Sequence, residues 1–248
     1  NTKRILLVLS VVLAFTAMTL QPAQETNVKV ETISKILTSV GLYDAESGMT
    51  NDQILKAYSD NIKEAVLVNA EGNIVGKMQT EAKNIELKGN SDLKLQSTLI
   101  KKASEGDAAA KAEIALPVYI FNIDGQDVPV VPCYGAGLWG PIWGYLAFEG
   151  DMNTIEGAVF DHKGETPGLG AEIATNWFRN NFTGKKIYNA EGEFTSVKVV
   201  KGGAAEDDIN GVDAISGGTI TSQALEKAIK SWLEAYVPYF ETLKAVEE

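Results

Sequence analysis

Between Asp213 and Thr221 the chain reads Asp-Ala-Ile-Ser-Gly-Gly-Thr-Ile-Thr, a run of hydroxyl side chains interrupted by two glycines. Glycine lets the backbone turn tightly and approach a ligand closely. Directly afterwards, Ser222 to Glu226 open an amphipathic segment that continues through Leu225, Ile229, Trp232 and Tyr236 at helical spacing. A hydroxyl-rich, glycine-bearing turn feeding a helix start suits a phosphate, because unpaired N–H groups and the helix dipole both favour an anion there. An ordinary N-cap after a loop has the same ingredients. On its own the segment permits anion binding without requiring it.

Two further segments have residue types suited to a flat organic ring. Gly135 to Gly144 (GAGLWGPIWG) combines glycines with Trp139 and Trp143, which offer large apolar planes for stacking. A glycine-bulged strand packing its tryptophans in the core would read the same way. Glu165 to Glu172 (ETPGLGAE) is a kinked loop ending at a helix start, able to present N–H groups and a hydroxyl to a ligand's polar edge, or simply to cap a turn. Its G-x-G spacing lacks a third glycine and a βαβ setting, so a Rossmann site is not supported.

Composition excludes several chemistries. Cys133 is the only cysteine and His162 the only histidine. The chain alone cannot form an internal disulfide, ligate an iron–sulfur cluster through its own thiolates or build a two-histidine zinc site. Any redox cofactor it carries must be organic, or be held by another subunit. The formal net charge is −11. With no basic stripe, this argues against nucleic acid and anionic membrane surfaces as binding partners.

The elements that must position these loops read as an α+β pattern. Residues 5–20 carry no charge, follow Lys3-Arg4 and precede Gln21-Pro22. As a helix they would rise about 24 Å against a hydrocarbon core of ~30 Å, so flanking residues complete the span. A cleaved signal peptide shares this pattern; we take residues 1–22 as an uncleaved anchor, with Lys3-Arg4 cytoplasmic and everything after residue 22 on the far side. A helical lead over 23–62 contains Val28 to Leu42 and Asn51 to Ile62, the second opened by Thr50-Asn51-Asp52. The rest, 63–248, starts with a hairpin around Ala70 to Asn73. Residues 90–113 read as a polar insertion packing loosely. Asp124-Gly125 signals a second hairpin, whose Pro117 and Pro129 suggest edge strands. Trp143 to Phe148, Ile155 to Phe160 and Ser196 to Val200 add strands; Ala171 to Phe182 and Ser222 to about Lys244 read as helices.

The segment at 213–221 resembles the flavinylation motif Asp-x-x-Ser/Thr-Gly-Ala-Thr-x-Ser/Thr, on which a transferase attaches FMN through its phosphate to a threonine. Asp213, Ser216, Gly217, Thr219 and Thr221 fall on the motif, and Gly218 stands where alanine is usual. With the G-L-W-G-P-I-W and E-T-P-G-L-G loops in this order, nearly the whole chain resembles the extracytoplasmic FMN-binding family. That family is shared by the C-type flavoprotein component of the Na+-translocating NADH:quinone reductase (Na+-NQR) and its G-type counterpart in Rnf ferredoxin:NAD+ complexes. The resemblance implies covalent FMN on Thr219, with Ser216, Gly217, Gly218 and Thr221 around it. The ring would lie against Leu138, Trp139 and Leu169. Glu165 and Thr166 would meet its polar edge, Gly168 would give backbone access, and no residue would be catalytic or metal-binding. The implied setting is a single-pass protein of the bacterial inner membrane, its C-terminal domain periplasmic and its partners the other subunits of a redox complex. A flavin transferase would act during maturation and read Asp213. The G-type component of an Rnf complex is the alternative within the family; an anchored, non-redox binding or scaffold module is the alternative outside it.

Overall fold

In the computed structural model, residues 9, 15 and 24–244 are described. The anchor expected at 1–22 lies outside the described residues apart from residues 9 and 15, both helical. Among the described residues no helix is long and apolar enough to cross a membrane.

The chain runs α1 (24–39), a 3-10 turn Ala45–Ser47, α2 (Asn51–Asn61), β1 (Ile62–Val68), β2 (Ile74–Met78), α3 (Asn90–Ser104) and α4 (Ala108–Ala112). There follow β3 (Leu116–Ile123), β4 (Gln126–Ala136), β5 (Pro141–Phe148), β6 (Ile155–His162), a 3-10 turn Gly170–Ala174 and α5 (Asn176–Asn180). Strands β7 (Lys198–Val200) and β8 (Gly211–Asp213) and helix α6 (Thr219–Lys244) complete it. Strands β1–β6 form one antiparallel sheet in the order β2-β1-β3-β4-β5-β6, while β7 and β8 pair parallel in a separate ladder. Both expected hairpins form, and Asp124 and Gly125 take the positive φ angles that a tight two-residue turn requires.

The unbroken apolar run at the start of β3 follows from burial on both sheet faces. Val118 and Ile120 join one core with α3 and α6; Tyr119 and Phe121 join a second with α1 and α2. In α6, Leu225, Ile229, Trp232, Tyr236 and Phe240 are all buried, as their spacing requires. Helix α2 starts with a reciprocal capping box, Thr50 accepting from Gln53 N–H and Gln53 Oε1 accepting from Thr50 N–H at 2.8 Å.

Four sequence readings need correction. Residues 90–113 are not a loose insertion: they form α3 and α4, and Leu93, Leu99, Ile100 and Ala110 enter the core, since a few correctly spaced apolar residues suffice for an amphipathic face. Pro117 and Pro129 sit on interior strands. Each lies beyond the end of one neighbouring ladder, β3–β4 stopping at Tyr119–Val130 and β4–β5 starting at Val130–Ala147, so the missing N–H costs little. The Pro117 carbonyl receives the Tyr236 hydroxyl instead, at 2.7 Å. The helix expected over 171–182 is broken, because Thr175 takes an extended conformation and caps α5 anew through Phe178 N–H. Finally, α6 begins at Thr219, three residues before the expected Ser222.

Candidate functional site

The early start of α6 fixes the chemistry of the 213–221 segment. Gly217 has φ +74°, the left-handed region that glycine enters freely, and Gly218 N–H donates to Ile215 O at 3.0 Å. Ser222, fully buried one turn in, clamps this bend from inside. Its N–H and hydroxyl both donate to Gly218 O, and its Oγ accepts from Ile215 N–H at 3.2 Å. Thr219 is therefore the first helical residue, half-buried, and the N–H groups of Thr219, Ile220 and Thr221 have no acceptor among the described residues. These are the orphan donors of a helix N-terminus, a place that favours an anion.

Glu165 draws the three motif segments together. Only 4% exposed, it accepts from the Thr221 hydroxyl at 2.6 Å and from Trp139 N–H at 2.9 Å. Thr221 is 1% exposed. Glycines make the space: a Cβ on Gly137 or on Gly170 would run into the Glu165 carboxylate. Burial pushes the Glu165 carboxyl up, but the Thr221 hydroxyl, the Trp139 and Gly140 N–H groups and nearby His162 hold it, on balance, below the usual carboxylate range. Its own N–H donates to His162 Nδ1 at 3.2 Å. Beside His162, Asp161 pairs with Lys35 of α1 at 2.8 Å, tying the lead helix to the same corner.

Around Thr219 large apolar side chains face outward. Trp139 is 68% exposed, Ile220 60%, Leu138 47% and Leu169 43%. Leu169 lies over the glycine pair, its Cδ2 only 2.6 Å from where a Gly217 Cβ would stand. A cluster of exposed large apolar side chains marks a surface that a ligand or partner covers. Thr166 and Gly168 are exposed; the Thr166 carbonyl accepts from Leu169 and Ala171 N–H, and Gly168 N–H donates to Glu172 Oε1 at 2.9 Å. Ser216 is exposed, whereas Asp213 at the end of β8 accepts from Ala204 N–H at 2.7 Å and so braces the preceding turn.

The fold thus gathers all three sequence-expected segments at the N-terminus of α6. Sequence reasoning passed over Ile220, the clamp residue Ser222 and the brace role of Glu165. Ile220 alternates with Thr219 and Thr221 at a helix start whose position was misread, which hid its outward direction. Of the two tryptophans, Trp143 packs against the α1–α2 core, as the core-packing alternative for this strand has it, while Trp139 stays outside. A larger cavity of about 880 Å3 lies at the other end of α6, beside Leu243 and the Asp124-Gly125 turn, apart from these residues.

A phosphate-ready helix start, a half-exposed threonine hydroxyl and an uncovered apolar shelf together fit FMN. Comparison with known proteins bears on the same point. Residues 137–234 match the model of the FMN-binding domain family. The NqrC-type subunit of the Na+-translocating NADH-quinone reductase of Neisseria meningitidis serogroup B is 31% identical over 245 residues, covering 96% of this chain and 90% of the relative. Its Pseudomonas aeruginosa counterpart is 33% identical over 232 residues, covering 92% and 87%. The crystal structure of the same type of subunit from Parabacteroides distasonis superimposes with a TM-score of 0.69 at 38% identity, covering 89% of this chain and 96% of that one. Shewanella oneidensis NqrC gives 0.67 at 28% identity, covering 88% and 99%. With identity of this order along almost the full length of both partners, the chain belongs to the NqrC family of Na+-translocating NADH-quinone reductase subunits.

Proposed function

We propose that this flavoprotein subunit of a Na+-translocating NADH-quinone reductase carries FMN as a phosphoester on Thr219 and relays electrons between neighbouring subunits. Bound there, FMN supplies reversible electron uptake and release; the chain's residues hold and orient it. The observation that carries the reading is the position of Thr219. It is the first residue of α6, half-exposed, with unpaired N–H groups beside it and a shelf of exposed apolar side chains around it. The phosphodiester would take its hydrogen bonds from the first turn of α6. Trp139, Leu138 and Leu169 would cover the apolar faces of the ring, and Glu165 would keep the Trp139 loop and Thr221 in place beneath it. Gly217 and Gly218 add no side chain of their own beside Thr219, where Leu169 already lies close, which suits access by a flavin transferase reading Ser216 and Asp213. Relatives named for the NADH-quinone reductase favour this complex over an Rnf complex.

Residues 1–22 would anchor the domain in the bacterial inner membrane with its C-terminal part periplasmic, a reading supported by the uncharged 5–20 stretch after Lys3-Arg4. Protease added to spheroplasts should then digest the domain, and its protection would reverse the topology.

Co-expression with a flavin transferase, followed by denaturing gel electrophoresis, tests the linkage. The wild-type band should fluoresce, the Thr219→Ala band should be dark, and Thr221→Ala should keep most of its label because its hydroxyl is turned inward to Glu165. A dark wild-type band would favour the scaffold alternative, and a label lost only in the Thr221 variant would move the acceptor.

A further inference from the structure

Beside Thr219 runs a groove of about 490 Å3 that meets the flavin shelf only at Leu138 and Ile220. Its walls are α3, through Ser97 and Lys101, and α6, through Gln223, Ala224 and Lys227; its floor is the last part of β4. Leu138 and Ile220 form the end nearest Thr219. No acidic residue lines it, in a chain of net charge −11. Lys101 and Lys227 are both exposed, and neither has an ion-pair partner among the described residues.

The floor is an open strand edge. The β3–β4 ladder ends at Val130, so residues 131–136 have β5 on one side only. The Tyr134 carbonyl points to the open side, where Ser97 Oγ and Trp232 Nε1 donate to it at 3.2 and 3.0 Å. Alternation along the strand sends the N–H and C=O of Ala136 the same way. Ala136 faces Pro141 across the β4–β5 ladder. Proline has no N–H to give, and its carbonyl is taken by Lys163 N–H at 2.9 Å. Ala136 is exposed, and among the described residues it makes no backbone hydrogen bond outside the β4–β5 ladder, where its partner is a proline.

We propose that this groove docks an extended, acidic segment of a neighbouring subunit, which pairs with β4 at Ala136 while its carboxylates meet Lys101 and Lys227. A free backbone donor and acceptor select an extended chain, because a helix has already spent its own backbone groups. The two unpaired cations select its charge. Such a segment passes Leu138 and Ile220 and so brings its subunit to the edge of the flavin shelf. Docking needs only the groove; its use for electron transfer rests on FMN at Thr219.

The test uses the assembled complex in membranes, with the photo-cross-linker p-benzoylphenylalanine placed at Gln223 and, as a control on the same helix outside the groove, at Lys230. The Gln223 position should cross-link to another subunit at a stretch rich in Asp and Glu, and Lys230 should not. Replacing both Lys101→Glu and Lys227→Glu should lower the yield by roughly tenfold, since charge reversal turns attraction into repulsion. The Lys101→Arg, Lys227→Arg pair should restore it. All four substitutions are at exposed positions and should leave the melting temperature unchanged. An adduct on this chain's own flavin, no inter-subunit cross-link, a partner stretch without acidic residues, or a yield indifferent to charge reversal would each overturn the proposal. Fluorescence of the band on the same gel reports the Thr219 linkage separately, so a dark band counts against that linkage and leaves the cross-link result standing.

Discussion

Glu165 keeps a charge where charge is expensive, and its two oxygens are the reason three loops meet. Truncating it leaves the Thr221 hydroxyl and the Trp139 N–H without an acceptor. A buried orphan costs about 1–3 kcal/mol, and the N–H of the exposed Trp139 costs less than the buried Thr221 hydroxyl, so Glu165→Ala should be about 2–4 kcal/mol less stable in a urea titration at neutral pH. Because the folded-state carboxyl lies below its ordinary 4.5, it adds stability above that pH, and this stability is lost as pH falls through the folded value. The acid limb of the wild-type stability curve should therefore be steeper than that of Glu165→Gln; parallel limbs would contradict the assignment. With FMN attached, removing this negative charge should also raise the flavin midpoint, by about 60 mV if the charge contributes about 1.4 kcal/mol to a one-electron couple. An unchanged midpoint would leave Glu165 a brace and nothing more. That Glu165 belongs near the site was readable in the chain. That it faces inward was not, because only the packed loops bring Thr221 and Trp139 to its oxygens.

Helix α6 does two jobs with one amphipathic pattern. Its buried stripe grips the sheet, and its first turn presents Thr219. The two are joined by Ser222, whose buried side chain holds the Ile215–Gly218 bend. Ser222→Ala removes one donor and one acceptor and should cost about 1–2 kcal/mol. Since the bend also sets the direction of the Thr219 hydroxyl, the variant should take up label several-fold more slowly in a time course with the flavin transferase. A label rate equal to wild type would show that the bend holds without its clamp. The stripe was legible because Leu225, Ile229, Trp232 and Tyr236 repeat at helical spacing. The helix start was obscured by two glycines, which give no propensity signal of their own. Pro117 and Pro129 misled for a related reason: the rule that proline marks an edge strand applies to each ladder position, and ladder ends are set by the partner strand. In α3, sparse apolar residues in a charged sequence concealed a core-facing helix.

At the scale of the whole molecule, one sheet buried on both faces holds the fold and encloses much of its phenolic chemistry. Tyr58, Tyr119, Tyr145 and Tyr236 are all buried, and burial pushes each of their pKa values above the ordinary 10. A raised folded-state pKa contributes stability that is present below about pH 10 and is lost as pH rises further, because only the unfolded chain can ionise these phenols. Four such groups cost roughly 5 kcal/mol for each pH unit above 10, comparable with the whole stability of a domain. Alkaline unfolding should therefore be steep, with tyrosinate absorbance rising in step with the loss of far-ultraviolet circular dichroism. Ionisation of these four tyrosines while the circular dichroism persists would refute this.

The one-dimensional pattern was sufficient for part of what is local: the buried stripe of α6, the turn at Asp124-Gly125, the single thiol and single imidazole, and the hydroxyl and glycine motif around Thr219. These depend on neighbours a few residues apart, whose relation the chain itself imposes. Only the tertiary structure decided that α3 and α6 leave β4 with an uncovered edge beside Thr219. It also decided that Glu165 lies under Trp139 and that both sheet faces are closed by helices. Those arrangements depend on where strands stop and what packs across from them, distances of tens to a hundred residues along the chain, over which no spacing rule operates.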